Sequence, residues 1–317
     1  MTSPIKTVFF GTPHFVVPVL EVLRACKDVE LIAVIAQPDR PSGRKKELKS
    51  PATKVWAQER DIPVLQPESL KTPEIETQLR ELDADLFVVA GYGMLIPDNI
   101  ISLPQFDAIN IHPSRLPEYR GPTPIQAAIL DGKETSAVSI ILVRSKMDAG
   151  PLLAQESFDL GTVHTSEELY EKAFTQGGRM LVDLLPAWVN GTHGTTEQDD
   201  SLATFCKLTK KEDAEIDWTC TSRQIRDRLR AYTPWPGIYT TWKGKRLKIV
   251  ELGPEVTTQI KEAQPPGTIS THEGLHIATG DGWIEATQVQ LEGKQPQSAE
   301  AFLHGTGREL EGEQLPS

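Results

Sequence analysis

The side chains best suited to chemistry lie at the ends of two apolar runs. Asn110 and His112 close the first run, which begins at Ala108, and Asp148 follows the second in Ser145-Lys-Met-Asp-Ala-Gly150. On a strand, residues two apart leave the same face, so an amide donor would lie beside an imidazole that titrates near neutral pH. The amide would polarise a carbonyl, the imidazole would help to move a proton, and the carboxylate would set the charge state of the imidazole. These residue types predict acyl transfer without a covalent intermediate.

Each of these residues also has a purely structural explanation. Asn110 could cap the end of a strand, His112 could satisfy a hydrogen bond in the core, and Asp148 could occupy a turn. For any one of them alone we favour that explanation. Their combination is different, because the first apolar run ends abruptly in a Pro- and Gly-rich stretch over residues 113–124. A buried strand that stops at such a loop is where open α/β sheets place ligand chemistry.

The first half of the chain alternates apolar runs with helical patterns. This alternation predicts an α/β fold with a Rossmann-like, mostly parallel sheet and flanking helices. Neither Gly11-Thr-Pro-His-Phe15 nor Gly91-Tyr-Gly93 completes the Gly-x-Gly-x-x-Gly pattern of a dinucleotide site. We expect strands near residues 5–10, 29–37, 63–66, 85–90, 107–112 and 136–143, and helices near residues 15–26, 51–60, 73–82, 122–131 and 165–188.

A change of pattern divides the chain after residue 189. Residues 190–206 are polar and rich in Gly and Thr, which is typical of a linker. We expect a catalytic domain over residues 1–189, a linker over 190–206, and a smaller C-terminal OB-like β-barrel domain over 207–317. The barrel is predicted from one helix near 221–231 and short alternating runs at 237–242, 245–252, 266–270, 275–279 and 282–290.

Composition restricts the class of protein. Hydrophobic residues make up 38% and charged residues 24% of the 317, which is ordinary for a globular protein. The cysteines, Cys26, Cys206 and Cys220, show neither pairing nor metal-ligand spacing, which predicts reduced thiols and no metal. There is no signal peptide and no apolar run near twenty residues, so we expect a cytoplasmic protein without membrane contact.

The net charge of −11 is unevenly distributed. Residues 40–54 hold six basic side chains and one acidic one, and residues 207–248 hold eleven basic side chains and five acidic ones. Two basic islands in an acidic chain suggest local phosphate contacts, although a solvated surface without a partner is an equal alternative for either island alone. Together with an OB-like barrel, they indicate nucleic-acid binding. The candidate contacts are Arg40, Arg44, Lys45, Lys46, Lys207, Lys243, Lys245, Arg246 and Lys248.

One stretch carries a highly specific pattern. From Asn110 onward the chain reads Asn-x-His-x-Ser-x-Leu-Pro-x-Tyr-Arg-Gly, and an Asp-x-Gly turn begins at Asp148. This set of spacings resembles the family of formyltransferases that use 10-formyltetrahydrofolate, as does the Gly-Thr-Pro-x-Phe turn after the first strand. The resemblance implies that Asn110, His112 and Asp148 are catalytic, that 10-formyltetrahydrofolate is the one-carbon donor, and that no metal is needed.

The same resemblance assigns residues to the folate. In the family, the Ser-x-Leu-Pro segment contacts folate, and the segment after the fourth strand lines the pterin pocket. A flat pterin needs apolar walls and backbone hydrogen bonds, which the apolar loop within residues 88–97 can supply. Met94 and Leu95 could equally be core residues. The implied folate-binding residues are Ser114, Arg115, Leu116, Pro117, Phe87, Tyr92, Gly93, Met94 and Leu95.

The second domain indicates the acceptor. Ala214-Glu-Ile-Asp-Trp218, Pro234-Trp-Pro-Gly-Ile-Tyr239 and Gly280-Asp-Gly282 resemble the family members that act on aminoacylated tRNA. The basic insertion over residues 37–51 resembles the loop with which those members contact the acceptor end. The resemblance implies transfer of the formyl group to the α-amino group of methionine on initiator tRNA. We expect the protein to act as a monomer.

Two alternatives share parts of this pattern. A sugar-nucleotide N-formyltransferase would share the catalytic half, but the basic insertion and the barrel domain argue against it. A non-catalytic RNA-binding protein on an inherited folate fold would not need Asn110, His112 and Asp148 to be intact. Formylation of charged initiator tRNA, compared with that of a sugar-amine nucleotide and the same donor, would separate these possibilities.

Overall fold

The chain forms two compact units in a computed structural model that describes residues 3–42, 47–254 and 264–316. Residues 190–208, which include the stretch with the composition of a linker, belong to the first unit. The domain boundaries expected from the sequence, at residues 189 and 206, stay predictions. The first unit contains Met1–Ile125, Thr135–Leu160 and Glu167–Leu208, and the second contains Gln126–Glu134, Gly161–Ser166 and Thr209–Ser317.

The first unit is built on a central sheet. Its strands are β1 (Ile5–Phe10), β2 (Val29–Ile35), β5 (Val64–Leu65), β6 (Leu86–Val89), β7 (Ala108–His112), β8 (Thr135–Leu142) and β9 (Leu152–Asp159), and β3 (Arg40–Ser42) pairs with β4 (Glu47–Lys49) in a separate hairpin. The order across the sheet is β5-β2-β1-β6-β7-β8-β9. Neighbours from β5 to β7 are parallel, and the last two pairs are antiparallel. The predicted mostly parallel, Rossmann-like sheet is therefore confirmed.

The first unit also contains helices. They are α1 (Val17–Ala25), α2 (Ala52–Gln58), α3 (Pro73–Glu81), α4 (Asp98–Ile101) and α6 (Ser166–Val189). Helix α5 (Pro124–Leu130) begins in this unit, and its residues from Gln126 onward belong to the second. Helix α3 illustrates why they form. The Thr72 hydroxyl accepts from the Ile75 N–H, Pro73 occupies the first turn, and Ile75 and Leu79 bury one face of the helix. A capping residue, a proline at the start and an apolar stripe together stabilise so short a helix.

Helix α6 fixes which face of β7 is available for chemistry. A Cβ atom added to Gly177 of α6 would overlap Ile111 of β7, and it would lie 2.9 Å from a methyl group of Val138 in β8. The helix therefore lies directly against the sheet and covers the face that carries Ile111. Because side chains alternate along a strand, Asn110 and His112 leave β7 on the opposite face.

The second unit contains a curled antiparallel sheet. Its strands are β10 (Ile238–Trp242), β11 (Lys245–Leu252), β12 (Ile269–Ser270), β13 (Leu275–Ala278), β14 (Trp283–Leu291) and β15 (Gln297–Ser298), and its longer helices are α7 (Ser222–Tyr232) and α8 (Ala299–His304). The order is β10-β11-β14-β13-β12, and β15 pairs with β14. Register shifts between β11 and β14 bend the sheet. This half-barrel confirms the predicted OB-like architecture.

Two sequence features of the second unit acquire a role at the start of α7. Thr221 and Gln224 form a reciprocal capping box. Asp281, from the Gly-Asp-Gly turn that precedes β14, accepts from both the N–H and the hydroxyl of Ser222. A carboxylate is stabilised at the positive end of a helix, so this turn ties α7 to the sheet.

Six of the elements named above were not predicted, and each has a weak sequence signal. Strands β3, β4 and β15 have only two or three residues each. Strand β9 lies at the edge of its sheet and exposes Gln155, Glu156 and Ser157 in succession, so it lacks an apolar run. Helix α4 has four residues and helix α8 has six, which is too short for a helical period to be recognised.

We searched the described residues for membrane-spanning helices and for groups of side chains that could bind a metal. Within residues 3–42, 47–254 and 264–316, no helix is both long enough and apolar enough to cross a membrane. The same residues contain no group of three or more His, Cys, Asp or Glu side chains placed to hold a metal ion. Cys26, Cys206 and Cys220 are free thiols.

Candidate active site

Asn110 and His112 lie at the carboxyl end of β7, and Asp148 lies in the loop after β8. Because β8 is antiparallel to β7, it ends beside the beginning of β7, and its loop must fold back to reach the end of that strand. The base of the loop is fixed where the Val143 N–H donates to the Ala108 carbonyl at 2.7 Å. The sequence predicted strand-end residues in one place, and the structure brings them together by this reversal of the loop.

The three residues meet around one carboxylate. Asp148 Oδ1 accepts from Asn110 Nδ2 at 3.4 Å and lies 3.6 Å from His112 Nδ1. The distance to His112 is too long for a hydrogen bond, and the contact is an ion pair only when the imidazole is protonated. The His112 side chain is 6% exposed and that of Asp148 is 14% exposed, so solvent and salt screen their interaction only weakly.

The hydrogen bonds of His112 define its tautomer. Its Nε2 lies 3.1 Å from the carbonyl oxygen of Tyr119. A carbonyl oxygen can only accept, so Nε2 carries a proton and donates it to Tyr119. Nδ1 is then the nitrogen that gains or loses a proton, and it faces Asp148. The arrangement therefore places the proton-exchanging nitrogen beside the carboxylate that stabilises its protonated form.

Asp148 is held in an unusual backbone conformation. Its φ is +52°, in the left-handed region that a residue with a Cβ adopts at a cost of roughly 1–2 kcal/mol. The carboxylate is oriented by the Gly121 N–H, which donates to Oδ2 at 2.9 Å. Gly121 has φ +125°, and a Cβ there would overlap the Cys206 carbonyl. The sequence motif contained Gly121 without revealing that its N–H orients Asp148.

The Ser114–Pro117 segment turns two of its side chains inward. The buried Ser114 hydroxyl donates to the Glu118 carbonyl at 2.7 Å, and Leu116 is 3% exposed. Arg115 Nη2 donates to Ser157 Oγ of β9 at 2.8 Å. These side chains are occupied within the protein. Pro117 is half-buried and remains partly accessible, so contact with a ligand here would come through it and through exposed backbone.

The five residues assigned to a pterin pocket divide between core and surface. The side chain of Phe87 is 1% exposed and lies 5.1 Å from the ring of Phe10, and Met94 packs partly against the same core. Tyr92 is also buried. Gly93, at φ +79°, and Leu95, which is 59% exposed, form the accessible part of the loop. This part, with the half-buried Met94, is accessible to a ligand, whereas Phe87 and Tyr92 are not.

Tyr92 combines a firmly held backbone with an unsatisfied side chain. Its carbonyl accepts from Thr12 Oγ1 at 3.1 Å and from Gln37 Nε2 at 2.9 Å, which anchors the loop. Among the described residues, its hydroxyl has no hydrogen-bond partner. Burial raises the pKa of this hydroxyl to about 12, because the phenolate would lose its hydration.

A cleft of about 770 Å³ lies in the first unit beside the β3–β4 hairpin. Among the predicted phosphate contacts, Arg40 lines it and pairs with Glu68 at 3.1 Å. Arg44, Lys45 and Lys46 lie outside the described residues. The rest of the lining is Thr12, Pro13, His14, Val17, Gln37, Pro38, Pro41, Lys49, Ser50, Pro51, Ala52, Val55, Trp56 and Glu59.

The predicted basic contacts of the second unit are not equivalent. Lys243 pairs with Glu309, whose hydrogen bond raises the pKa of the lysine. Lys248 donates to the Pro236 carbonyl at 2.8 Å, and burial lowers its pKa. Lys245 and Arg246 are exposed, and the Arg246 guanidinium lies 4.7 Å from the centre of the Tyr239 ring. Lys245 and Arg246 therefore present their charge to solvent most directly.

Residues 198–206 of the first unit, which carried no functional motif, lie against residues 119–123, the stretch that contains Arg120 and Gly121. The Thr204 carbonyl accepts from the Arg120 N–H at 2.9 Å, and Arg120 Nη2 donates to Asp200 Oδ1 at 2.8 Å. Lys207, one of the predicted contacts, is exposed at the end of this segment, and its carbonyl accepts from Thr123 Oγ1 at 2.7 Å. The composition of this segment indicates a linker, because hydrogen bonds to distant residues cannot be recognised from composition.

The chain is similar to known proteins over almost its whole length. It is 39% identical to "Methionyl-tRNA formyltransferase" of Chloroflexus aurantiacus over 303 residues, which is 95% of this chain and 96% of that protein. It is 39% identical to the protein of the same name from Staphylococcus aureus over 313 residues, covering 98% of this chain and 99% of that protein. Among solved structures, HypX from Aquifex aeolicus in complex with tetrahydrofolic acid covers 98% of this chain and 49% of its own, with a TM-score of 0.64 and 16% identity, which shows a shared fold.

Two family models also match the chain. Residues 5–185 match the formyl transferase family and residues 208–307 match the formyl transferase C-terminal domain. The Asn-x-His motif and Asp148 lie inside the first match. The whole curled sheet of the second unit, from β10 to β15, lies inside the second. The chain therefore belongs to the formyl transferase family.

Proposed function

We propose that the protein transfers a formyl group from 10-formyltetrahydrofolate to the α-amino group of methionine on initiator tRNA. The product would be formylmethionyl-tRNA for translation initiation. The observation that carries the proposal is the meeting of Asn110 and His112 of β7 at the Asp148 carboxylate, with one side-chain nitrogen of each within 3.6 Å of Asp148 Oδ1. Similarity to full-length methionyl-tRNA formyltransferases, including the C-terminal domain, supports tRNA as the acceptor.

The arrangement suits the attack of an amine on a formyl carbon. As the tetrahedral intermediate forms, the formyl oxygen gains negative charge. Asn110 has two amide hydrogens, and one of them makes the long contact with Asp148, so the other can donate to that oxygen. A proton must leave the attacking nitrogen. We assign its acceptance to the His112–Asp148 pair, either at Nδ1 or through a water between them. The bond between the formyl carbon and the folate nitrogen then breaks, that nitrogen takes up the proton, and tetrahydrofolate leaves.

The donor site would adjoin this group on the β6–β7 side. The accessible residues Gly93 and Leu95 supply backbone and an apolar surface for the pterin, and Pro117 supplies a second apolar contact. The inward-facing Phe87, Tyr92, Ser114 and Leu116 would act by holding these loops rather than by touching the ligand. The tetrahydrofolic acid bound in the structural neighbour HypX supports a folate site on this fold.

The acceptor would be held by basic side chains. Arg40 and Lys207 in the first unit, with Lys245 and Arg246 in the second, would contact tRNA phosphates, as would Arg44, Lys45 and Lys46 outside the described residues. Such contacts position a nucleic acid without reading its sequence. We also propose that residues 1–189 form the catalytic domain and 207–317 the tRNA-binding domain, and that the protein works as a cytoplasmic monomer.

A competition between acceptors tests this function. The full-length protein would be given radiolabelled 10-formyltetrahydrofolate together with methionyl initiator tRNA or an amino-sugar nucleotide. We expect label in the acid-precipitable tRNA and none on the sugar. Label on the sugar alone would replace the proposal with sugar N-formylation. Label on neither acceptor, from a protein that still binds folate, would contradict formyl transfer to these amines.

A further inference from the structure

Gln198 joins two loops that carry the candidate active site. Its Nε2 donates to the Asp148 carbonyl at 2.9 Å and to the Gly150 carbonyl at 2.7 Å. Its Oε1 accepts from Arg120 Nε at 3.1 Å and from Arg120 Nη2 at 2.9 Å. A primary amide has two hydrogens to donate and two lone pairs to accept with, so Gln198 uses its whole hydrogen-bonding capacity on these loops.

The side-chain amide N–H groups of Gln198 bind a loop whose backbone conformation is unfavourable by itself. Asp148 has a left-handed backbone although it is not glycine, and such conformations persist only where the surroundings enforce them. Two residues later, a Cβ on Gly150 would overlap the Leu142 carbonyl, so the loop passes very close to the end of β8. The amide of Gln198 bonds the carbonyl oxygens on both sides of this tight passage.

The acceptor end of Gln198 holds the loop that orients the Asp148 carboxylate. Arg120 is 4% exposed, and its guanidinium bonds Gln198 together with Asp200. The next residue, Gly121, donates its N–H to Asp148 Oδ2. These hydrogen bonds and the peptide bond between Arg120 and Gly121 form a closed ring that runs from Asp148 through Gly121, Arg120 and Gln198 back to Asp148. Gln198 is therefore connected to Asp148 both directly and through the loop that orients its carboxylate.

We propose that Gln198 is a positioning residue for formyl transfer, which keeps the Asp148 carboxylate opposite Asn110 and His112. It touches neither donor nor acceptor and acts through Asp148. The proposal rests on the proposed function above and extends it to a residue in the segment that has the composition of a linker. Because a displacement of about 1 Å can cost roughly a hundredfold in rate, its loss is expected to lower turnover more than binding.

Two substitutions separate the donor end from the acceptor end. Gln198→Glu keeps an acceptor for Arg120 but has no hydrogen for the two carbonyls, and it places a carboxylate against them. Gln198→Met has nearly the same shape and loses both ends. Glu197→Gln is the matched control, because Glu197 is the exposed neighbour on the same segment. Thermal unfolding of all three variants would report whether each is folded.

The activity measurement is steady-state formyl transfer to methionyl-tRNA, with each substrate varied at a saturating concentration of the other and the rate expressed per folded enzyme. We expect Gln198→Glu and Gln198→Met to lower kcat by about ten- to a hundredfold, with KM for both substrates within about threefold of wild type. Glu197→Gln should match the wild type. If Gln198→Glu turns over within about twofold of wild type, the donor end does no positioning and the proposal is wrong.

A second measurement does not depend on activity. The imidazole ¹⁵N resonances of His112 report on the carboxylate that faces its Nδ1. They should shift in Gln198→Glu and Gln198→Met and stay unchanged in Glu197→Gln. A fall in kcat without this shift would reduce Gln198 to general stability and overturn the positioning role. If wild-type protein formylates no tRNA, the proposed function fails, and the His112 resonances still decide whether Gln198 positions Asp148.

Discussion

The end of β7 and the β10–β11 hairpin both present polar side chains that the sequence marked as functional, but they are built differently. At the end of β7, the carboxylate of Asp148 and the imidazole of His112 are largely buried, and each has partners within 3.6 Å. On the hairpin, cations stand on an exposed surface and one of them is already paired, to Glu309. A buried site depends on geometry, whereas an exposed basic surface depends on how much charge remains uncompensated.

The largest effect is expected at the buried site. Asn110→Ala, His112→Ala and Asp148→Ala should each lower turnover by at least about a hundredfold, because each removes a group that stabilises charge in the transition state. Folate and tRNA affinities should change little, since binding uses other surfaces. Steady-state kinetics with measured Kd values would show this split. A variant that turned over at near-normal rate would remove its residue from the mechanism.

The three losses should not add. Asn110, His112 and Asp148 share one carboxylate, so a residue left without its partners has less to contribute. A double variant such as His112→Ala with Asp148→Ala is expected to be about as slow as the slower single variant. Rates that equal the product of the two single losses would mean that the side chains act independently.

A glycine tests geometry at the same site without removing any functional side chain. Gly121→Ala should displace the N–H that orients Asp148, because φ +125° is unfavourable for alanine and the added Cβ would overlap the Cys206 carbonyl. We expect a loss of about 1–3 kcal/mol in unfolding free energy and a further fall in kcat. Gly132→Ala is the control, because Gly132 also has a positive φ, +68°, but open space around its Cβ position. Equal effects from both would show that backbone strain alone is responsible.

The sequence predicted more of the buried site than of the exposed surface. Asn110, His112 and Asp148 could be found because their types and spacing form one specific pattern. Gln198 could not, because its contacts with Arg120 and Asp148 span 78 and 50 residues and leave no local pattern. The mostly parallel sheet followed from the alternation of strands and helices. The polar edge strand β9 has no apolar run and so gave no signal.

The basic residues of the exposed surface also differ from one another in ways that the sequence does not show. The sequence gives no reason to distinguish the four basic residues Lys243, Lys245, Arg246 and Lys248. In the structure, Lys243 pairs with Glu309 and Lys248 donates to the Pro236 carbonyl. The charge of Lys243 is compensated by Glu309, which lies 66 positions away in the sequence. A count of basic residues therefore overstates the charge that a phosphate backbone would meet.

The hairpin should show a smaller effect, confined to binding and dependent on salt. Replacing Lys245 and Arg246 by alanine should weaken tRNA binding severalfold and lower the slope of log K against log salt by about 1–2, because fewer counterions are displaced. Single-turnover rates at saturating tRNA should not change. The control is Lys243→Met with Glu309→Gln, which removes an ion pair and leaves net charge unaltered. If the control lowered the slope of log K against log salt by the same amount, Lys243 would have to leave Glu309 and bind tRNA.

The smallest effect is expected at Tyr92, whose side chain is buried although its hydroxyl makes no hydrogen bond among the described residues. Its hydroxyl is buried without a partner among the described residues, so Tyr92→Phe removes a polar group that gains nothing from the fold. The unfolding free energy at pH 7 should change by no more than about 1 kcal/mol, in either direction. At alkaline pH the two proteins should diverge. The folded-state pKa of about 12 exceeds the ordinary tyrosine value of 10.0, so the unfolded state loses its proton first and wild-type stability falls as pH rises from about 10 to 12. Tyr92→Phe should lack this part of the decline in urea titrations. Identical alkaline profiles would mean that the hydroxyl finds a partner or solvent in solution.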